Sequence, residues 1–115
     1  VAVRCDIADP LPEAPPELGW DLQCITEEAI TNAVRHGGAT RIEVRLEPRT
    51  GPALWLSVSD NGSGTTVTSP DQAPQSSTGL RSMSERVARW DGSVRLTGSE
   101  DGTELVAVLR LPPPV

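Results

Sequence analysis

Lysine, phenylalanine and tyrosine are absent from this chain of 115 residues, and only two cysteines and three tryptophans occur in it. Because aromatic residues make up 3% of the chain, the hydrophobic core must be built from aliphatic side chains. All ten basic residues are arginine, and sixteen acidic residues give a net charge of −6. A nucleic-acid surface draws on a positive field, so this composition argues against one.

Long apolar runs and cysteine pairs are also lacking. No run approaches the roughly 20 residues that span a bilayer, and the first residues do not resemble a signal peptide. Cys5 and Cys24 form neither a CxxC pair nor a disulfide framework, and we expect both to act as small apolar side chains in a reducing compartment. The sequence thus predicts one compact cytoplasmic domain over residues 1–115, even if the full-length protein is membrane-anchored.

Hydrophobic periodicity predicts the order strand, helix, two strands, loop, helix, two strands. Alternating apolar residues over 1–7 indicate a half-buried strand, and residues 41–46 and 53–60 indicate an antiparallel hairpin. A long helix is predicted over 17–36, ended by Gly37 and Gly38. Its apolar face consists of Leu18, Leu22, Ile25, Ala29 and Ala33.

The second half of the chain continues this pattern. Residues 61–78 are rich in Gly, Ser, Thr and Pro and predict a mobile loop; a helix over 80–90 and strands over 93–97 and 103–111 follow. The predicted fold class is therefore α+β, a two-layer α/β sandwich with a mixed, largely antiparallel sheet and its helices on one face.

The long helix carries a polar stripe beside its apolar face. At 100° per residue, Asp21, Glu28, Asn32 and Arg35 lie along one edge of that face, whereas Glu27 points into solvent. A carboxylate and an amide four residues apart at the margin of a core need a partner or a ligand. The alternative is a plain ion pair of Glu28 or Asp21 with Arg35.

Two further segments place polar groups on the inner face of the sheet. In DNGSG, strand parity directs Asp60 inward with Leu54 and Leu56, where a carboxylate can accept from a purine amine. In DGTEL, Thr103 shares the parity of Leu105 and also points inward. The alternative for DNGSG alone is a simple Asn-Gly turn after a strand.

The segment STGLRSM leads directly into the second helix. Free N–H groups and the dipole at a helix N-terminus favour phosphate, and Gly79 leaves room for an oxygen to approach. A plain helix start after a loop explains the same residues.

These four segments occur in one order and together resemble a known family. ITEEAITNAVRHG is similar to the N box of the GHKL (Bergerat-fold) ATPase superfamily, DNGSG to its first glycine box, STGLRSMSERV to its second and EDGTEL to its closing glycine-threonine element. The segments from GL to DGSVRL resemble sensor histidine kinases of the nitrate-sensor and desaturase-thermosensor type.

The resemblance implies ATP and Mg²⁺ as cofactors, with residues 61–78 as the ATP lid. It implies that Asn32 ligates Mg²⁺, that Glu28 is the metal-side or base-like acid, and that Asp60 binds the adenine amine with help from Thr103. The other nucleotide-binding residues that it implies are Arg35, His36, Gly62, Gly64, Thr78, Gly79 and Leu80. Ser77 departs from the usual GxG of the second glycine box, which puts phosphate affinity in question.

The resemblance also implies a kinase whose γ-phosphate goes to a histidine on a separate dimerising helical domain and then to a response regulator. That helical motif is absent from this sequence, whose single histidine is His36, so we expect a monomer that does not phosphorylate itself. The alternatives are an anti-sigma factor-type serine kinase, an ATPase in which Glu28 activates water, and a nucleotide-binding module without catalysis.

Overall fold

The computed structural model describes residues 1–62, 78–99 and 102–112, without the side chains of residues 36, 78–80 and 99. In chain order the elements are β1 (Ala2–Ile7), α1 (Pro16–Gly37), β2 (Arg41–Arg49), β3 (Ala53–Asp60), α2 (Thr78–Ala88), β4 (Ser93–Ser99) and β5 (Gly102–Arg110). The strands form one sheet in the order β1-β2-β3-β5-β4. Among the described strands, β1 and β2 pair in parallel and all other neighbours pair antiparallel. The predicted α+β sandwich with a mixed sheet is confirmed.

The core lies between the two helices and one face of the sheet. In α1 the buried side chains recur every three or four residues, as predicted, and in the strands they alternate. α2 adds Met83 and Val87, which are almost completely buried. The sheet contributes Ile42, Val44, Leu54, Leu56, Val58, Leu96, Leu105, Ala107 and Leu109 to the same cluster. An aliphatic core is thus confirmed for the described residues.

The prediction of a half-buried first strand is wrong. β1 exists, but all six of its residues are exposed, including Val3 at 46% and Ile7 at 55%. No described helix contacts β1, so nothing in this part of the chain covers its apolar side. For the same reason Cys5 is exposed and does not fill the core, whereas Cys24 is partly buried.

The ends of the helices follow local rules. Pro16 is the first residue of α1, where a missing N–H does no harm, and Gly38 ends it with a left-handed φ of 62° while its N–H donates to the Ala33 carbonyl. α2 begins at Thr78, two residues earlier than predicted. Among the described residues, neither helix has the length and apolar character needed to cross a membrane.

Asp21 joins the two helices. It is buried to 1% exposure in α1, and its two carboxylate oxygens accept from different residues of the α2 region. Arg86 Nη1 donates to Oδ1 at 2.7 Å, and Trp90 Nε1 donates to Oδ2 at 2.8 Å. Arg89 Nη1 lies 3.9 Å from Oδ2, but its side chain is 63% exposed and solvent weakens that pair. The alternative of an Asp21–Arg35 pair is therefore wrong.

These contacts set the protonation of Asp21. Burial alone would raise the pKa of the carboxyl, but the hydrogen bonds from Trp90 and Arg86 and the charge of Arg89 outweigh it, so the pKa lies below its ordinary value of 3.8. A carboxyl whose pKa falls on folding stabilises the fold above its unfolded-state pKa. That stabilisation is lost as the pH falls through the folded-state pKa.

We expect Asp21→Asn to lower the free energy of unfolding at pH 7 by about 2–3 kcal/mol, because Arg86 then loses its charged acceptor in a buried site. The difference from the wild type should stay constant down to about pH 5 and shrink below the ordinary pKa of 3.8. Urea unfolding followed by circular dichroism at several pH values measures both effects. A difference that persists unchanged at about pH 2.5 would contradict the assignment of the lowered pKa to Asp21.

Candidate nucleotide site

The end of β3 carries Asp60 on the inner face of the sheet. Asp60 lies opposite Ile42 of β2 and Thr103 of β5, so the three side chains share one face, as strand parity predicts. Asp60 and Thr103 are both half-buried. Oδ1 of Asp60 accepts a hydrogen bond of 2.8 Å from the Gly62 N–H, and no described residue donates to Oδ2. A half-buried acceptor therefore faces the same side as a threonine hydroxyl.

Gly62 holds this strand end against the C-terminus of α1. A Cβ on Gly62 would lie 2.5 Å from the carbonyl oxygen of Gly37, closer than such atoms approach. The sequence interpretation gave Gly62 the role of making room for nucleotide, but here the space beside it is filled by helix backbone. Packing against α1 is therefore a sufficient reason for a glycine at position 62. Contact of Gly62 with nucleotide stays a prediction.

Gly102 allows a similar close approach from β5. Its φ is 147°, and a Cβ there would overlap the carbonyl oxygen of Asp60. The glycine that precedes Thr103 therefore lets β5 begin directly beside the end of β3. This contact fixes Thr103 next to Asp60.

Asn61 was not singled out in the sequence, yet it ties β3 to the start of β2. Its Oδ1 accepts from the N–H groups of Thr40 and Arg41 at 3.0 and 2.9 Å, and its Nδ2 donates to Thr40 Oγ1 at 3.0 Å. Asparagine after a strand commonly satisfies backbone groups in this way, which was the available signal. The DNGSG segment is thus partly a structural junction.

The polar stripe of α1 divides into two parts in the structure. Glu28 and Asn32 are half-buried, Arg35 is exposed, and Glu27 is exposed with a 3.1 Å hydrogen bond from Gln23. Asp21 belongs instead to the contact with α2. The distinction between Glu28 and Glu27 made from the helical wheel agrees with their exposure.

The contact between Gly62 and Gly37 places the C-terminal part of the polar stripe, with Glu28 and Asn32, at the same end of the sheet as Asp60. Asn32 precedes Gly37 by five residues, which is about 7.5 Å along the helix axis. The residues that the sequence assigns to adenine and those that it assigns to the metal therefore lie on elements that are in contact at one end of the sheet. This arrangement can offer an acceptor and a hydroxyl to a base, and an amide and a carboxylate to a cation.

The remaining predicted residues are described only in part. Thr78, Gly79 and Leu80 form the first turn of α2, and His36 lies in the last turn of α1, but their side chains are outside the described part. Gly64, Ser77 and the rest of the predicted lid over 63–77 also lie outside the described residues. Asn61 and Gly62 make the contacts with β2 and α1 given above, and Thr78 is the first residue of α2; the assignment of residues 61–78 to an ATP lid stays a prediction.

The described residues contain no group of three or more His, Cys, Asp or Glu side chains that could hold a metal ion. Mg²⁺ commonly keeps water ligands and is shared between one or two protein oxygens and the phosphates of a nucleotide. Asn32 and Glu28, four residues apart on one helix, offer oxygen ligands of that kind. The donor set therefore fits a metal that arrives with a nucleotide better than a cage made of protein alone.

Comparison with known protein families shows which family the chain belongs to. The family model described as histidine kinase-, DNA gyrase B-, and HSP90-like ATPase matches residues 20–114. The chain belongs to this family. The matched range includes most of α1, all of α2, the DNGSG segment and Thr103 of β5.

Curated relatives of this ATPase-family domain include a sensor histidine kinase and a sensor protein. The chain is 38% identical over 93 residues to the sensor histidine kinase MctS of Rhizobium johnstonii, covering 81% of this chain and 20% of the relative. It is 33% identical over 94 residues to the sensor protein VraS of Staphylococcus epidermidis, covering 81% of this chain and 26% of the relative. The chain thus spans about a fifth to a quarter of the relatives' length.

Solved structures of histidine kinases share the fold. The histidine kinase domain of the Erythrobacter litoralis EL346 blue-light activated kinase superposes with a TM-score of 0.76 at 20% identity, covering 96% of this chain and 55% of that one. The ATP binding domain of PrrB from Mycobacterium tuberculosis superposes with a TM-score of 0.61 at 25% identity, covering 98% and 82%. The ATPase fold and the likeness to sensor histidine kinases, both expected from the sequence, are confirmed.

We expect Gly62→Ala to destabilise the fold by about 1–3 kcal/mol, because the added methyl group meets the Gly37 carbonyl and separates β3 from α1. Gly19→Ala is the control. Gly19 is an exposed residue inside α1 with nothing within 4 Å of an added Cβ, so alanine there should stabilise by about 0.5–1 kcal/mol. Urea unfolding of both variants measures the difference, and two changes of the same sign would contradict it.

Proposed function

We propose that this chain is the ATP-binding catalytic domain of a sensor histidine kinase, and that it presents the γ-phosphate of ATP to a histidine on a separate helical domain. The observation that carries the proposal is the position of Asp60, half-buried on the inner face beside Thr103 and close to the helix of Asn32. Family membership and the similarity to MctS and VraS support it.

In this proposal Asp60 and Thr103 select the base. Asp60 Oδ1 already accepts from Gly62, and Oδ2 is the acceptor for the exocyclic amine of adenine. Thr103, directly opposite on β5, supplies a hydroxyl that can both donate and accept. A half-buried carboxylate favours a ligand that brings donors, because leaving it unpaired away from water is unfavourable. Adenine fits this requirement.

The α1 stripe serves the phosphate end. Asn32 and Glu28 are the metal-side oxygen ligands, and Arg35 and His36 follow on the last turn towards the phosphates. The first turn of α2, at Thr78, Gly79 and Leu80, contributes N–H groups and the positive end of the helix dipole. Mg²⁺, when bound, neutralises phosphate charge and aligns the γ-phosphate.

The phosphate acceptor and the downstream response regulator belong to the proposal as partners of the full-length protein. The chain contains one histidine, His36, which lies inside the nucleotide-binding helix. We therefore expect that the 115-residue chain does not phosphorylate itself. We also propose that it binds Mg-ATP as a monomer in the cytoplasm.

We expect Asp60→Asn to weaken Mg-ATP binding at least roughly 30-fold, because the new amide presents a donor to the adenine amine. The fold should survive, since Asn Oδ1 can still accept from Gly62. The matched control is Asp91→Asn, the same chemical change at a side chain that is 96% exposed. Calorimetric titration measures both. Unchanged affinity in Asp60→Asn would remove this residue from base recognition.

We expect Asn32→Asp to change the metal dependence of ATP binding, because a second carboxylate alters the charge beside the cation. Glu27→Gln, an equally small change on the exposed side of the same helix, should have no such effect. Titrating Mg²⁺ and Mn²⁺ against each variant with fixed ATP tests this. Equal responses of the two variants would mean that the wrong face of α1 was assigned to the metal.

A further inference from the structure

One buried acid takes no part in the proposed chemistry. Asp21 lies in the second turn of α1, eleven residues before Asn32, which is about 16 Å along the helix axis. It is 1% exposed, and both of its carboxylate oxygens are used by the α2 region. A buried charge at this position needs a structural or positional reason, since an apolar residue would avoid the loss of hydration.

Asp21 holds α2 at two points. Arg86 is in the last turn of α2 and contacts Oδ1; Trp90 follows the end of the helix and contacts Oδ2. The two donors are four residues apart, close to one helical turn. Attachment of one carboxylate to two such points restrains α2 against both rotation about its axis and sliding along α1.

The contact lies at the end of the sheet opposite the nucleotide site. The Trp90 carbonyl accepts from the N–H of Arg110, which pairs with Ala53 at the start of β3. Asp60 lies seven residues further along that strand, at a distance of roughly 23 Å. The C-terminus of α1, in contrast, lies beside Gly62 next to Asp60. Both helices are therefore joined at Asp21 and extend from there towards the site.

The other end of α2 is the phosphate-side turn of the proposed function. Gly79 is seven residues before Arg86, about 10 Å along the axis. A tilt of about 10° at the Asp21 contact would move that turn by almost 2 Å relative to α1, by the geometry of a rod of this length. Errors of about 1 Å in a binding or catalytic geometry have large effects.

We propose that Asp21 is a positioning residue for the phosphates of ATP: by holding Arg86 and Trp90 it sets the angle between α2 and α1, and so the distance from the Thr78–Gly79 turn to Asn32. The proposal rests on the proposed function of the site. It assigns Asp21 no contact with nucleotide. It also requires that the base end of the site, built by Asp60 and Thr103 on the sheet, does not depend on Asp21.

The test compares two ligands on the 115-residue chain. Affinities for Mg-ATP and for adenosine, which lacks phosphates, are measured by NMR titration for the wild type, Asp21→Asn, Arg86→Gln and the double variant. We expect each variant to weaken Mg-ATP by about 5- to 30-fold and adenosine by no more than about twofold. The double variant should match the single ones, because all of them break the same contact.

A stability control separates position from general loosening. Leu54→Ala removes a buried side chain from β3 that is not part of the Asp21 contact, and it should destabilise by about 2–4 kcal/mol while keeping Mg-ATP affinity within about twofold. All affinities are measured where circular dichroism shows a folded protein. If Asp21→Asn does not fold, the same comparison is made with Arg86→Gln, because this variant keeps the hydrogen bond between Trp90 and Asp21.

Several outcomes would overturn the proposal. Wild-type affinity for Mg-ATP in Asp21→Asn, equal weakening of ATP and adenosine, or equal weakening in Leu54→Ala would each do so. If the wild type binds no ATP, the proposed function fails, and hydrogen exchange at the amides of residues 82–85, the second turn of α2, whose N–H groups are bonded within the helix, decides the positioning role separately. Exchange should then be faster in Asp21→Asn than in Leu54→Ala, and equal exchange would overturn the positioning role.

Discussion

The close approach of Gly62 to the Gly37 carbonyl is the constraint on which the site depends. It brings the end of the central strand β3 against the last turn of α1, and a side chain at Gly62 would separate them. Asn61 joins the same strand end to β2, and Gly102 admits the start of β5. One three-residue segment thus touches three other parts of the chain. The elements that carry Asn32, Asp60 and Thr103, residues far apart in sequence, are joined at this end of the sheet because of it.

The helical layer is organised from the opposite end. Asp21 joins α1 to α2 through two hydrogen bonds, and the aliphatic core beneath includes Met83 and Val87 of α2. A layer attached at Asp21 and at Gly62 is restrained at both ends of α1. α2, by comparison, has its charged contact only near its C-terminus among the described residues. In the positioning role that we propose for Asp21, the geometry of the N-terminal turn of α2 depends on this contact at the distant end.

Much of this fold could be predicted because periodicity reports which side chains share a face. The spacing of Leu18, Leu22 and Ile25 predicted α1 to within one residue at each end, and strand parity predicted the inward direction of Asp60 and Thr103. Periodicity does not report what covers a face. The alternation in β1 is that of a half-buried strand, yet β1 is exposed, because no described helix extends over that edge of the sheet.

The sequence also did not predict which residues, far apart in the chain, contact each other. The helical wheel placed Asp21 beside Arg35, the one basic residue on its own stripe, whereas its partners are 65 and 69 residues away in the chain. Gly62 was similarly interpreted through a ligand, because the sequence contains no sign that the C-terminus of α1 lies against it. Short-range patterns locate a polar group on an element, but tertiary packing decides which group it meets.

The charge of the chain explains why the two ends of the site are built differently. With a net charge of −6 and no lysine, the protein has no general positive field for a nucleotide triphosphate. In the proposed site, the base end uses side chains on adjacent paired strands, where an acceptor and a hydroxyl can discriminate between bases. The phosphate end must rely on local donors: arginine, helix N–H groups and a cation that arrives with the ligand. Local donors act only over short distances, so for this acidic domain the relative position of two helices matters more than total charge.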